Sequence, residues 1–228
     1  RDAGRGMIQG AGGLVFTDRG DGSEQLEVDW SGDVELRFRP GTDELESATF
    51  QRDVHVSNPG FDLRADELQV FLGSGADGRP RLDRIVAAGD AEDRVRAVRV
   101  GEPGMLLADA VDLTLAPGPD GDPGPRRLLA RGRVDASDAQ QTIWTEALDV
   151  SFMPDRSDQG FKLDRVIAED GVQILLENGA RAWADRLDGD GVNRRVTLSA
   201  SGGDLVLLRG NVLADQLHSV TFDDRSQA

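Results

Sequence analysis

The 228-residue chain has no cysteine, no tyrosine, one lysine (Lys162), two histidines and only 11 Phe and Trp residues. Without cysteine there is no disulfide, no thiolate metal site and no Cys nucleophile, and the redox compartment stays open. No apolar run approaches the ~20 residues of a membrane-spanning helix. No signal peptide is recognisable, and the chain opens on Arg1 rather than Met, as expected of an excised or processed piece. Positive charge is also short: 42 acids face 26 bases, for a formal charge of −16. That balance repels phosphates, so it argues against non-specific nucleic-acid binding and against a polybasic membrane contact.

The acids are 31 Asp and only 11 Glu. Asp favours turns and disfavours helix interiors. The dominant periodicity is two, as in Leu26-Glu-Val28-Asp-Trp30, Val34-Glu-Leu36-Arg-Phe38, Val111-Asp-Leu113-Thr-Leu115 and Leu148-Asp-Val150-Ser-Phe152. Such alternation marks strands with one buried and one wet face. Turn clusters such as Ser57-Asn-Pro-Gly60 and Gly101-Glu-Pro-Gly104 separate the runs. Their spacing predicts an all-β architecture of roughly 16–20 strands. The best helical candidate is Leu82–Val100, interrupted by Gly89 and rich in β-branched residues.

The densest breaker segment, Ala116-Pro-Gly-Pro-Asp-Gly-Asp-Pro-Gly-Pro125, is a candidate boundary between halves or a long hairpin tip. The same pattern continues on both sides, which favours one domain over residues 1–228.

That pattern is a repeat. One element reads Ala48-Thr-Phe-Gln-Arg-Asp-Val54, Ile85-Val-Ala-Ala-Gly-Asp-Ala91, Leu128-Leu-Ala-Arg-Gly-Arg-Val134, Val166-Ile-Ala-Glu-Asp-Gly-Val172 and Leu207-Leu-Arg-Gly-Asn-Val212. The closing residues lie 37, 43, 38 and 40 apart. A second element, Ala65-Asp-Glu-Leu68, Ala108-Asp-Ala-Val111, Thr145-Glu-Ala-Leu148 and Ala184-Asp-Arg-Leu187, follows each of the first four. Two markers sharing a period near 40 residues imply stacked strand pairs, each burying its apolar face against its neighbours.

These motifs resemble the OstA-like superfamily of lipopolysaccharide-transport proteins: the periplasmic bridge protein, its membrane-anchored partner and the N-terminal domain of the outer-membrane translocon. The best-matching unit is Leu163-Asp-Arg-Val-Ile-Ala-Glu-Asp-Gly-Val-Gln-Ile174 followed by Arg181-Ala-Trp-Ala-Asp-Arg-Leu187, and the resemblance covers about residues 45–225. It implies an elongated, twisted, open β-jelly roll (a β-taco) with an apolar groove for acyl chains. It also implies unpaired end strands that join OstA-like molecules edge to edge. Transfer of lipopolysaccharide or another long-chain envelope lipid, without catalysis or cofactor and in the periplasm or cell envelope, is the expected activity.

In that reading the candidate groove lining is Val54, Val56, Leu68, Val70, Val111, Leu113, Val134, Leu148, Val150, Val172, Ile174, Leu205, Leu207 and Val212. The same residues would equally close a dry core, as in a structural or adhesive envelope scaffold without lipid. His55, between Val54 and Val56, is expected to face solvent, and neither it nor His218 has the neighbours of a metal site. Asp188-Gly-Asp-Gly191, Asp120-Gly-Asp122 and Arg19-Gly-Asp21 read as turns, since the first two lack the further acids of a calcium loop. Trp30, Trp144 and Trp183 are either a sugar-stacking platform or a repeated structural slot; Trp144 and Trp183 both touch the second repeat element. A carbohydrate-active β-sandwich would need carboxylates and aromatics gathered in one cleft.

Overall fold

Period-two alternation commits the chain to strands, and the described residues contain no helix. The computed structural model describes the backbone of residues 4–17, 25–75, 80–101, 103–118, 123–155, 160–200, 205–209, 212–217 and 219–223. Side chains are described within 4–15, 26–75, 80–101, 103–118, 124–155 and 161–200. The strands are β1 Arg5–Ile8, β2 Gly12–Thr17, β3 Gln25–Trp30, β4 Val34–Phe38, β5 Leu45–Asn58, β6 Phe61–Ser74, β7 Pro80–Ala88, β8 Val95–Arg99 and β9 Gly104–Ala108. They continue with β10 Ala110–Pro117, β11 Pro123–Asp138, β12 Gln141–Asp155, β13 Gly160–Leu176, β14 Arg181–Asp190, β15 Arg195–Ser199, β16 Leu205–Arg209, β17 Val212–Leu217 and β18 Ser219–Asp223. All 18 belong to one hydrogen-bonded sheet, and β6, β7, β10, β11, β9 and β8 close on themselves as a six-stranded antiparallel barrel. The helical candidate Leu82–Val100 is instead β7, a connection and β8, because Val86, Val95 and Val98 suit a pleated face better than a helix. Across the breaker segment, Pro117 of β10 pairs with Pro123 of β11.

The long strands change partners half-way. β5 pairs with β4 through residues 45–50 and with β3 through 55–57. β6 takes β8 and then β7; β11 takes β10 and then β9; β14 takes β16 and then β15. Each long strand therefore contributes to two arms. Inward side chains of both arms belong to one apolar cluster.

The change of partner falls on a bulge with a recurring sequence. In β5 the register to β6 jumps between Gln51 and Val54, in β11 the register to β12 between Arg131 and Val134, and in β13 the register to β14 between Glu169 and Val172. The extra residues are left-handed in all three: Arg52 and Asp53 (φ 63° and 47°), Gly132 and Arg133 (70° and 44°), Asp170 and Gly171 (67° and 75°). The paired strand has a single residue at that level, Asp66, Glu146 or Asp185. Consecutive left-handed residues turn the strand and reset which face points inward. This is why Phe50/Val54, Ala130/Val134 and Ala168/Val172 are buried four apart, and Ala65/Leu68, Thr145/Leu148 and Ala184/Leu187 three apart. The repeat markers are thus corner markers. Backbone groups freed by the bulges find partners: Ser31 N donates to Arg52 O (2.9 Å), Gly32 N to Gln51 O (2.9 Å), and Asp109 N to Arg131 O and Gly132 O (3.0 and 2.9 Å). Thr145 Oγ1 donates to the Glu169 carbonyl at 2.5 Å.

The second copy departs from this plan. Its expected closing residue, Ala91, is exposed, and Val95 occupies the buried corner position. The intervening segment folds on itself, with Glu92 N and Asp93 N both donating to Asp90 Oδ1 (2.7 and 2.6 Å). Arg94 Nη1 straps it to the neighbouring corner through the Arg133 carbonyl (2.6 Å).

A Cβ at Gly171 would meet nothing within 4 Å, whereas one at Gly132 would lie 2.3 Å from Asp109 Oδ2 and 2.9 Å from Asp109 Cβ. Gly171→Ala is therefore expected to cost about 1–2 kcal/mol from backbone conformation alone. Gly132→Ala is expected to cost measurably more in urea unfolding, and equal losses would show that the corner does not feel the clash.

Candidate functional site: an apolar cleft between the arms

Burial is deepest at the corners and falls toward the ends of the strands. On β13, Val172 is 1% exposed, while Leu163 and Leu176 near the two ends are 42% and 40% exposed. On β12, Thr145 and Leu148 are buried, Val150 and Phe152 half-buried, and Pro154 exposed. The arms are therefore packed together at the bend and open beyond it.

Around β13, β14 and β15 lies a cleft of about 590 Å³. Leu163, Val166, Leu187, Val196 and Leu198 line one side, and Ile143, Ile174, Leu176 and Ala182 the other. Its polar rim includes Gln140, Gln141, Arg181, Asp190, Arg194 and Arg195. Asp190 accepts from Asn193 N (2.9 Å) and Nδ2 (2.7 Å), and these bonds hold its carboxyl below the ordinary carboxylate range.

The sequence candidates distribute unevenly over this geometry. Val54, Leu68, Val111, Val134, Leu148 and Val172 sit in the closed corner, with Val56 buried nearby. Val70 and Val150 pack half-buried against that cluster, and Leu113 is half-buried on β10. Ile174 faces the cleft. The backbones of Leu205, Leu207 and Val212 pair with Leu217, Ala182 and Arg209, and their side chains lie outside those described. Reading by alternation missed Leu163 with Val166, because a further bulge between Ser151 and Phe152 puts two inward residues three apart on β13. His218, Asp120-Gly-Asp122 and Arg19-Gly-Asp21 also fall, wholly or in part, outside the described residues.

The outer face carries a feature absent from that reading. Arg84 pairs with Asp112, Arg127 with Asp149 and Arg165 with Asp188, each through two hydrogen bonds whose shorter member is 2.5–2.6 Å. The arginines precede the first repeat element by one residue and the aspartates fall one after the end of the second, so the pairs recur with the repeat. Bidentate pairing of this kind fixes geometry as well as charge.

A second, polar pocket of about 510 Å³ lies beneath the 90–94 segment and includes Asp53, His55, Arg64, Asp66 and Arg96. His55 Nε2 donates to Asp62 Oδ2 at 2.7 Å, and Arg96 Nη1 lies 3.5 Å from Asp62 Oδ1. His55 is thus half-buried and hydrogen-bonded to Asp62 rather than simply solvated. Among the described residues no group of three or more His, Cys, Asp or Glu is arranged to hold a metal. No family model and no curated protein sequence matches the chain.

Asp62, Asp149 and Asp188 are held below their ordinary value against the opposing effect of partial burial, Asp62 by the His55 hydrogen bond, Asp149 by Arg127 and Asp188 by Arg165. A carboxylate whose folded pKa is depressed adds stability above its unfolded pKa and loses it as pH falls through the folded value. Stability measured by urea unfolding is expected to be flat above about pH 5 and to fall below about pH 4. Asp149→Asn should lower the neutral-pH plateau and make the acid fall shallower; an unchanged slope would remove Asp149 from this account.

Proposed function

We propose that the chain is a non-enzymatic OstA-like scaffold of the periplasm or cell envelope, an open β-jelly roll that holds or bridges a long-chain lipid. The observation that carries this reading is the apolar cleft opening between two arms hinged on recurring bulges. Acyl chains are held by burial without directional contacts, at about 0.8 kcal/mol per CH₂, so a wall of aliphatic side chains is enough. The cleft lies within the range of about 300–1,000 Å³ typical of ligand sites. Arg181 and Arg194 at its rim suit an anionic head group such as that of lipopolysaccharide or another envelope lipid.

Edge strands support the bridging part. Among the described residues β1 pairs only with β4 and β2 only with β3, leaving backbone edges for another OstA-like chain. Met7, Ile8, Leu14 and Val15 on these strands are exposed apolar side chains. The alternative, a structural or adhesive scaffold with no lipid ligand, draws on the closed corner, where most candidate lining residues are packed against one another.

Titration with lipopolysaccharide and with a fluorescent long-chain fatty acid is expected to give saturable binding of at least one. Leu163→Gln with Leu176→Gln, both at exposed positions, should weaken it about ten-fold or more while leaving the melting temperature within a few degrees. Absence of saturable binding to both probes would favour the closed scaffold.

A further inference from the structure

The three strand segments that wall the cleft on one side have a second face. Ile143, Ile174 and Ala182 point into the cleft, so their neighbours Trp144, Gln173 and Trp183 point away from it. The registers place these three side by side: Trp144 opposite Gln173, and Gln173 opposite Trp183. Asp135 of β11 stands opposite Trp144 on its other side. Two strand spacings separate the tryptophans, roughly 10 Å.

Trp30 shows how this fold uses an indole for packing. Its ring is buried against Phe50 at 5.3 Å and its Nε1 donates to the Gly10 carbonyl at 3.0 Å. Trp144 is different, being 37% exposed on the outer face, and Trp183 is half-buried there. Burying neither ring fully leaves apolar surface in water that a packing role would have covered. The rings are too far apart to stack on each other, and a long amide lies between them.

We infer that this outer face binds an extended, uncharged glycan strand lying across β12, β13 and β14. A pyranose ring has an apolar C–H face that stacks on an indole and a rim of hydroxyls that needs planar polar partners. In a β-1,4-linked chain each sugar advances by about one strand spacing, and alternate sugars present the same relation to the surface. One sugar therefore sits on Trp144, the next over the Gln173 amide and the third on Trp183. Asp135 beside Trp144 offers a hydroxyl acceptor at one end. A lipid tail would need a continuous apolar wall, whereas Asp135 and Gln173 interrupt this face with polar groups, and a polyanion is disfavoured by the charge of −16. The site is back to back with the cleft and independent of what the cleft holds.

Chitohexaose and cellohexaose are the probes, titrated while intrinsic tryptophan fluorescence is followed. Saturable quenching by at least one is expected. Trp144→Ala and Trp183→Ala should each weaken binding about ten-fold, their combination should abolish it, and Gln173→Ala should weaken it about three-fold. Trp183→Phe, which keeps a stacking ring, should retain most of the affinity and guards against misfolding of the alanine variant. The Leu163→Gln, Leu176→Gln protein should bind as the parent does. No saturable response to either oligosaccharide, or equal binding by the folded double variant, would overturn the assignment.

Discussion

The structure depends on paired left-handed residues. A strand that ran straight through each corner would keep its inward face inward, but it would not pass from one arm to the other. Two successive residues at positive φ bend it and restore the inward face after the bend. The conformations are costly for Arg52, Asp53, Arg133 and Asp170, of order 1–2 kcal/mol each. They persist because the corner is closed around them, with Val54, Val134 and Val172 buried just beyond. Alanines at positions 87, 130 and 168 fit the same argument: where the arms converge there is room for little more than a methyl.

The ion pairs act at a different level. Surface ion pairs contribute little individually. Here they recur with the repeat and join β7 to β10, β11 to β12 and β13 to β14, across the direction in which the strands are stacked. They leave the first copy alone, where Ser47 and Gln69 stand at the corresponding positions.

Much of this was legible in the sequence because strand alternation and corner chemistry are both local. Five residues of alternation set a face, and the small residues beside Gly, Asp or Arg recur as a marker whose meaning as a bend only the backbone reveals. What escaped was set by insertions that local pattern cannot place. The 90–94 segment moved a corner position from Ala91 to Val95, and the bulge at Asp164 disguised Leu163 and Val166 as out of phase. The tryptophans show the limit most clearly. Trp30 and Trp144 each sit in a period-two strand, yet one points into the core and the other away from it. Only the register and the bulges decide which. The cleft itself was harder still, since it is a property of how far two arms stand apart rather than of any one strand.

The corners have a consequence for size. The corners of β5, β11 and β13 turn the chain by the same local device, and each leans on the strands beside it. Inserting or deleting one repeat would lengthen or shorten the stack of strands by two strand widths, about 10 Å. Length is then a free variable in this architecture.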